Sequence, residues 1–453
     1  MTPRAERLDR PALWVLLTTL GMLVIVTMPW LGSDAWPFDP SVEPRGIFGP
    51  FVRAADKEWD LGILRSTAVL AGLVVALAAA AAWRFASWSR GAAFSLAALV
   101  VAMLLVPATL LQIGLRDATE PWYHTNDSTY QIELAGDLIL DGDNPYGHDY
   151  RGSGLERFYP AVNAPPDLPQ VALEHFAYFP GTALTAAAWR VLPRPFDDYR
   201  LFVLLATLAL LPAALLFPGP LAWKLPVAAV LAANPLLVRG AWFGTADAPS
   251  LLALVLSFAL LVRGRVLWAA AALAVAVSLK QFALVAAPFL LVMLLTLHVP
   301  RQTLWRAAGV FAGTLFATAL PFLIADPVAL WDDTIAYGAE TYRIVGYGLS
   351  NLLLNLGVLD DRFGYYPFLP LAVIVWLPVT IWLLLQQRRS GLLWPAAAGF
   401  TVSMYLLLFL SRVFQSSYLA WPLTGLAVAY LLASFERARL PAPSDTAASG
   451  RAE

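Results

Sequence analysis

The chain has 453 residues, 59% of them hydrophobic and only 13% charged, against roughly a quarter charged in a soluble domain. A formal net charge of -1 lacks the basic bulk that duplex binding needs, so nucleic acid is not an expected partner. Cysteine is absent, which excludes disulfides, thiolate nucleophiles and cysteine-ligated metals. Lysine occurs only at Lys57, Lys224 and Lys280 while Arg, Ala, Leu and Pro abound, a composition that resembles that of a GC-rich bacterial genome.

A helix needs about 20 apolar residues to cross about 30 Å of hydrocarbon, because inside lipid each backbone polar group must be satisfied within its own segment. About thirteen segments approach that length: 12–31, 61–82, 92–115, 176–193, 199–217, 221–238, 248–262, 266–281, 282–299, 307–325, 368–385, 392–411 and 418–434. Arg4, Arg7 and Arg10 precede the first as in a signal peptide, but it is long and no Ala-x-Ala site follows, so it reads as a retained span. Arginine orients the rest: Arg84 and Arg90, Arg263 and Arg265, Arg301 and Arg306, Arg388 and Arg389, and Arg437 and Arg439 mark cytoplasmic turns. With both termini inside the number of crossings is even. Either one of these segments does not cross or a marginal one near 344–359 does; about 12 crossings are expected, with one of the three stretches between 176 and 238 short or re-entrant. The expected architecture is an all-α polytopic membrane protein with a partly helical long outer loop. Its parts are a two-span extension (1–91), a core (92–325), C-terminal helices (326–440) and a disordered tail (441–453) rich in Ala, Ser and Pro.

The outer face carries the loops 32–60, 116–175, 239–247, 326–367 and 412–417. A structureless loop of about 60 residues is rare unless functional or disordered, and 116–175 is too patterned for disorder. In it Asn126-Asp127-Ser128-Thr129-Tyr130-Gln131 opens an amphipathic helix, with Leu134, Ala135, Leu138 and Ile139 on one face and Glu133, Asp137 and Asp141 on another. Ser128 and Gln131 have capping-box spacing, which places Asp127 at the mouth of the helix. Asp141-Gly142-Asp143-Asn144-Pro145-Tyr146-Gly147 is a strong turn signal; Asp149, Tyr150, Phe158 and Tyr159 follow it. Taken singly, these residues also have plain readings. Aspartate favours helix starts, and aromatic residues form interfacial belts.

Together the motifs resemble the GT-C glycosyltransferases, especially the bacterial polyprenol-phosphate-mannose-dependent mannosyltransferases. An acidic residue (Asp127) follows a membrane helix, a tyrosine (Tyr130) comes a turn later, and a Gly-x-Asn-Pro-Tyr turn ends in Tyr146. In order come Tyr178-Phe179-Pro180, similar to that family's Tyr-x-Pro; Asn234-Pro235 with Gly244-Thr245-Ala246-Asp247; Ser278-Leu279-Lys280-Gln281 with Pro288; and Tyr418-Leu419-Ala420-Trp421-Pro422. The resemblance covers about residues 92 to 434. Thr245 stands where the family more often has Gln, Phe179 replaces its usual Pro, and two helices precede the motif-bearing part.

The resemblance implies a GT-C-like bundle that moves a sugar, mannose first among the expectations, from a polyprenyl-phosphate carrier to a lipid or glycan acceptor hydroxyl. The implied location is the outer face of a bacterial cell membrane. A phosphate leaving group needs little proton help, so one carboxylate acting as general base suffices, and Asp127 is the candidate. Lys280 ends an apolar helix and needs an anionic partner or water, which a lipid phosphate supplies; snorkelling to the interface is its plain alternative. Arg412 and Arg343 are further phosphate candidates. Asp247 would hold sugar hydroxyls or cap the helix near Pro249, and Tyr130, Tyr146, Tyr178 and Tyr418 join the substrate set through their motifs. His124, His148 and His175 lie beside many carboxylates, where a divalent cation is the chemical alternative. No tight spacing such as His-Glu-x-x-His occurs, so they read as solvated loop histidines and no cofactor is expected. No Walker loop or dinucleotide fingerprint suggests a nucleotide-sugar donor. The rival functions are a lipid-linked oligosaccharide transporter or flippase and a polysaccharide polymerase. The first usually shows inverted repeats and midplane charges, the second arginine-rich outer loops; this sequence has neither.

Overall fold

The computed structural model describes residues 8, 10–33, 45–46, 61–83, 88–118, 125–158 and 173–439. Most of the 32–60 loop, His124, Tyr159 and the 441–453 tail lie outside the described residues. The described chain is mostly helical. Its described helices are α1 (Arg10–Ser33), α2 (Leu61–Trp83), α3 (Arg90–Ala118), α4 (Asp127–Asp141), α5 (Pro180–Arg190), α6 (Tyr199–Leu215), α7 (Leu221–Ala233), α8 (Pro235–Phe243), α9 (Asp247–Val262) and α10 (Val266–Leu279). After these come α11 (Ala287–Thr296), α12 (Arg301–Ala325), α13 (Pro327–Trp331), α14 (Leu349–Asn355), α15 (Phe368–Ser390), α16 (Trp394–Leu410) and α17 (Ala420–Arg439). The described β-structure is one two-residue parallel pairing, β1 (Val345–Gly346) with β2 (Val413–Phe414).

Among the described residues five helices are long and apolar enough to cross a membrane: the first 18 residues of α1, then α3, α12, α15 and the segment Ser416–Arg437, which covers most of α17. The pair α7 and α8 makes a sixth if it is one span, bent by 40°. The bend has a local cause. Pro235 has no N–H to continue the ladder of α7, and Asn234 accepts from Leu237 N at 3.1 Å, capping the next helix. Several other apolar segments form helices too short for the criterion: α9 has 16 residues and α10 has 14, roughly 24 and 21 Å of rise. The 176–193 stretch yields only the 11-residue α5, roughly 16 Å long. The 344–359 region holds the 7-residue α14 and does not span. Exposed Trp305, Phe316 and Ile324 on α12 and Ile374 and Trp382 on α15 face outward, as lipid-facing side chains do.

The described part of the long loop is folded around α4. Here one sequence expectation is corrected: the cap is Asn126, whose Oδ1 accepts from Thr129 N at 2.8 Å, and Asp127 is the first helical residue. Ser128 therefore caps nothing, and Gln131 donates to the His175 carbonyl at 2.9 Å instead of reaching back to the helix start. The helix closes at Gly142 in the left-handed region, as the Asp-Gly pair suggests. Its acidic face is only partly solvated: Asp141 is exposed, but Glu133 is buried and takes Arg116 of α3 at 2.5 Å, while Arg116 also reaches Asp198 at 3.0 Å. Asp137 pairs with Arg190 of α5 at 2.8 Å, and Arg190 with Asp197 at 2.6 Å. Burial pushes the Asp198 carboxyl up, but the guanidinium groups of Arg200 and Arg116 outweigh it and hold the carboxyl well below the usual carboxylate range. These pairs lock α3, α4, α5 and the start of α6 into one block.

Candidate active site at one end of the helical bundle

A cavity of about 390 Å³ opens where several helices start or stop. The first residue of α4 brings Asp127, the first residue of α9 brings Asp247, the residue after α10 brings Lys280, and the turn before α17 brings Tyr418. Tyr178, two residues before α5, completes the set. Two close approaches fix this convergence. Thr129 donates to the carbonyls of Phe243 (2.6 Å) and Gly244 (2.9 Å), joining the mouth of α4 to the turn that leads into α9. Gly244 sits there at φ +81°, and any Cβ would collide with Thr129 and Arg200, so both its conformation and its space require glycine. Gly181 lets α5 touch the end of α10: a Cβ there would lie 2.6 Å from Ser278 Oγ. Thr182 of α5 donates to the Leu279 carbonyl at 2.5 Å. Tyr178 and Lys280 are thereby held in register.

Lys280 does not wait alone for an anion. Its Nζ donates to Asp247 Oδ1 at 2.6 Å, and the same oxygen accepts from Trp421 Nε1 at 2.7 Å. The ammonium also lies 4.9 Å from the centre of the Tyr418 ring and 5.3 Å from that of Phe282, distances suited to cation–π attraction. The cap position of α9 is Ala246, so Asp247 does not cap the helix; it is buried, and its carboxylate holds the lysine in place. One of the three N–H donors of Lys280 is used by Asp247, and no other acceptor engages it among the described residues.

Asp127 is half-buried at the cavity wall, with Oδ1 accepting from Ser128 N at 2.9 Å. Tyr178, Tyr337 and Tyr342 line the same cavity. Burial pushes all three phenols up, and the charge of Asp127 adds to the effect. They stay protonated at neutral pH and are able to donate hydrogen bonds. The neighbouring Ser128 hydroxyl and Arg343 guanidinium pull the other way on Tyr178 and Tyr342 respectively, without outweighing burial. Arg343 itself is exposed and outside the cavity wall.

The other sequence candidates lie elsewhere. Tyr130 points away from the cavity, donating to the Ser153 carbonyl at 2.8 Å and packing on Phe158. Tyr146 is buried behind the site, where it donates to the Tyr178 carbonyl at 2.9 Å and so braces Tyr178. Arg412 is 1% exposed and spends its guanidinium on the carbonyls of Tyr342 (2.7 Å), Gly364 (3.0 Å) and Arg362 (3.4 Å). It pins the loop that carries Tyr342 and does not line the cavity.

His175 is not a solvated loop histidine. It lines the cavity, its Nδ1 lies 2.6 Å from Asp333 Oδ1, and its ring stacks on Tyr337 with centres 4.6 Å apart. Asp333 is buried, and its Oδ2 accepts from Gly147 N (2.9 Å) and Phe176 N (3.1 Å). Asp333, Tyr337 and Tyr342 lie within 326–367, which the sequence presents as an outer loop. The local helix signal was there: Asp326 caps α13 and Pro327 occupies its first turn. The chain then continues in a wider π-type helix, Asp332–Thr341, of the kind that often re-aims side chains at functional sites.

A second cavity of about 220 Å³ is lined by the ion pairs of Arg116 and Arg190 and contains only Tyr130 of the candidates. Among the described residues no group of three or more His, Asp or Glu side chains is arranged to hold a metal ion. Comparison of the chain with protein-family models, with curated proteins and with solved structures finds no match.

Proposed function

We propose that this chain is a multi-pass bacterial membrane glycosyltransferase of the GT-C type, with about 12 crossings in a cell membrane and its site on the extracytoplasmic side. Its substrates are a polyprenyl-phosphate-linked sugar, mannose first among them, and a lipid or glycan acceptor. The observation that carries the reading is the meeting of Asp127 and Lys280 on one cavity, reached from helices far apart in sequence.

Orientation is supported by the helix ends. The helix α9 starts at the cavity and ends at Arg263; α10 starts after Arg265 and ends at Lys280; α17 starts beside the cavity and ends near Arg437 and Arg439. The arginine turns thus lie at the ends of these helices remote from the cavity, which by the positive-inside rule leaves the cavity outside.

In the proposed reaction the acceptor hydroxyl gives its proton to the Asp127 carboxylate while its oxygen forms the new bond to the anomeric carbon. The bond from that carbon to the phosphate oxygen breaks, and its electron pair leaves on the carrier phosphate. Lys280, pre-positioned by Asp247, has N–H donors left for that phosphate. Ile335, Phe368, Leu407 and Leu408 form an apolar part of the wall suited to the first isoprene units. The test is incubation of purified protein with radiolabelled polyprenyl-phosphate-mannose and, separately, the arabinose analogue, in the presence of a lipid extract. Label moving into a new product supports the reading, and no transfer from either donor overturns it.

A further inference from the structure

His175 and Asp333 form a unit for which proton abstraction by Asp127 and phosphate binding by Lys280 have no use. Asp333 is anchored from three directions: it holds the turn at Gly147, the backbone at Phe176 and one nitrogen of the imidazole. Three of the roughly four acceptor sites of such a carboxylate are taken by the protein itself. What it does is fix a ring. With Nδ1 bound to Asp333 and the ring face packed on Tyr337, the imidazole can neither flip nor swing. Donation of Nδ1–H to the carboxylate leaves the lone pair of the neutral ring on Nε2. Among the described residues Nε2 has no hydrogen-bond partner, and the side chain lines the cavity. The same cavity wall carries the phenols of Tyr178, Tyr337 and Tyr342, each able to donate a hydrogen bond. The ligand surface that matches neutral donors beside a fixed neutral acceptor is a polyhydroxylated one.

We propose that His175 Nε2 accepts a hydrogen bond from a non-reacting sugar hydroxyl, so that His175, positioned by Asp333, selects for a hydroxyl at one place on the sugar. The proposal rests on the glycosyltransferase reading and deepens it. The hydroxyl belongs either to the sugar being transferred or to a glycan acceptor, and the chemistry at Nε2 is the same for both.

Asparagine at position 175 separates this role from a structural one. Its amide N–H reaches the place of Nδ1 and keeps the tie to Asp333, while the group at Nε2 is gone. In H175N the melting temperature in detergent stays near that of wild type and KM for one substrate rises at least tenfold with a smaller change in kcat. A panel of monodeoxy donors and a panel of monodeoxy acceptors then locate the hydroxyl: for one analogue the gap between wild type and H175N closes, because the partner of Nε2 is already missing. A gap of unchanged size across both panels, or wild-type KM in H175N, overturns the proposal. If H175N does not fold, H175Q and H175M replace it. The glutamine amide reaches the position of Nε2 and keeps KM within a few fold, the thioether does not, and equal behaviour of the two contradicts the assignment.

Failure of the glycosyltransferase reading is recognised separately, as the absence of any transfer by wild type. In that case the ring still reports on itself. The chain has four histidines, so nitrogen-15 spectra at about pH 9, where histidine is ordinarily neutral, are assigned by the signal lost in H175N. A proton on Nδ1 with Nε2 bare keeps the acceptor assignment, and a proton on Nε2 overturns it.

Discussion

The ammonium of Lys280 lies 2.6 Å from Asp247 Oδ1, and this pair, 33 residues apart in sequence, joins the end of α10 to the start of α9 at the cavity. Both side chains are nearly excluded from solvent, at 9% and 3% exposure. Breaking such a pair from either side leaves a buried charge uncompensated and costs about 3–5 kcal/mol, whereas removing both charges together costs far less. Lys280→Met and Asp247→Leu are therefore each expected to lower the melting temperature in detergent, and the double variant to recover most of the loss. The double variant should still bind a polyprenyl-phosphate donor at least tenfold more weakly. Full recovery of donor affinity along with stability would leave the pair a purely structural role.

Arg412 makes the opposite prediction. Its guanidinium serves three backbone carbonyls and faces away from the cavity, so Arg412→Ala strands buried acceptors at about 1–3 kcal/mol each. The expected outcome is a clear drop in melting temperature with apparent donor KM unchanged in the protein that remains folded. A rise in donor KM without loss of stability would place Arg412 on the phosphate.

Gly181 tests how closely α5 must approach α10. A methyl group there would stand 2.6 Å from Ser278 Oγ and 2.7 Å from the Ser278 carbonyl carbon, too close for either to remain in place. Gly181→Ala is expected to cost about 1–3 kcal/mol, the usual range for overpacking, and to weaken donor binding by shifting Tyr178 relative to Lys280. Wild-type stability and KM would show that the two helices can separate freely.

Acid should loosen the block of ion pairs beside α4. The Asp198 carboxyl is held below its ordinary value in the folded chain by Arg200 and Arg116. Its contribution is therefore complete above the unfolded value of about 4 and is lost as pH falls through the lower folded value. The melting temperature of Asp198→Asn should lie below that of wild type at pH 7, with a difference that shrinks as pH falls from about 5 to 3. A difference independent of pH would contradict the role given to Asp198.

Much of the cavity was legible from local motifs, and the rest from none. Asp127, Tyr178, Asp247, Lys280 and Tyr418 each sit at a helix end flagged by a turn or breaker, and the structure gathers them on one cavity. The motif tyrosines Tyr130 and Tyr146 have the right spacing, but spacing on a short helix or turn does not say which face the fold will cover. What escaped were contacts between distant segments: Asp333 with His175 across 158 residues, and Trp421 with Asp247 across 174. Neither partner has a local pattern that announces the other. The helix count differs for a related reason. Apolar runs that end at the cavity, such as α9 and α10, form helices of 16 and 14 residues, and hydropathy does not show where within such a run the helix stops.

The most direct measurement is transfer of radiolabelled sugar from a polyprenyl-phosphate donor by purified wild-type and Asp127→Asn protein, matched for amount and melting temperature. The side chain is nearly isosteric and keeps an oxygen for Ser128 N, so the carboxylate's charge and its ability to take a proton are removed with little change of shape. Loss of a positioned general base should slow transfer by about 100- to 10,000-fold, with donor KM little altered. Equal rates in the two proteins would remove Asp127 from the chemistry and with it the reaction assigned to this cavity.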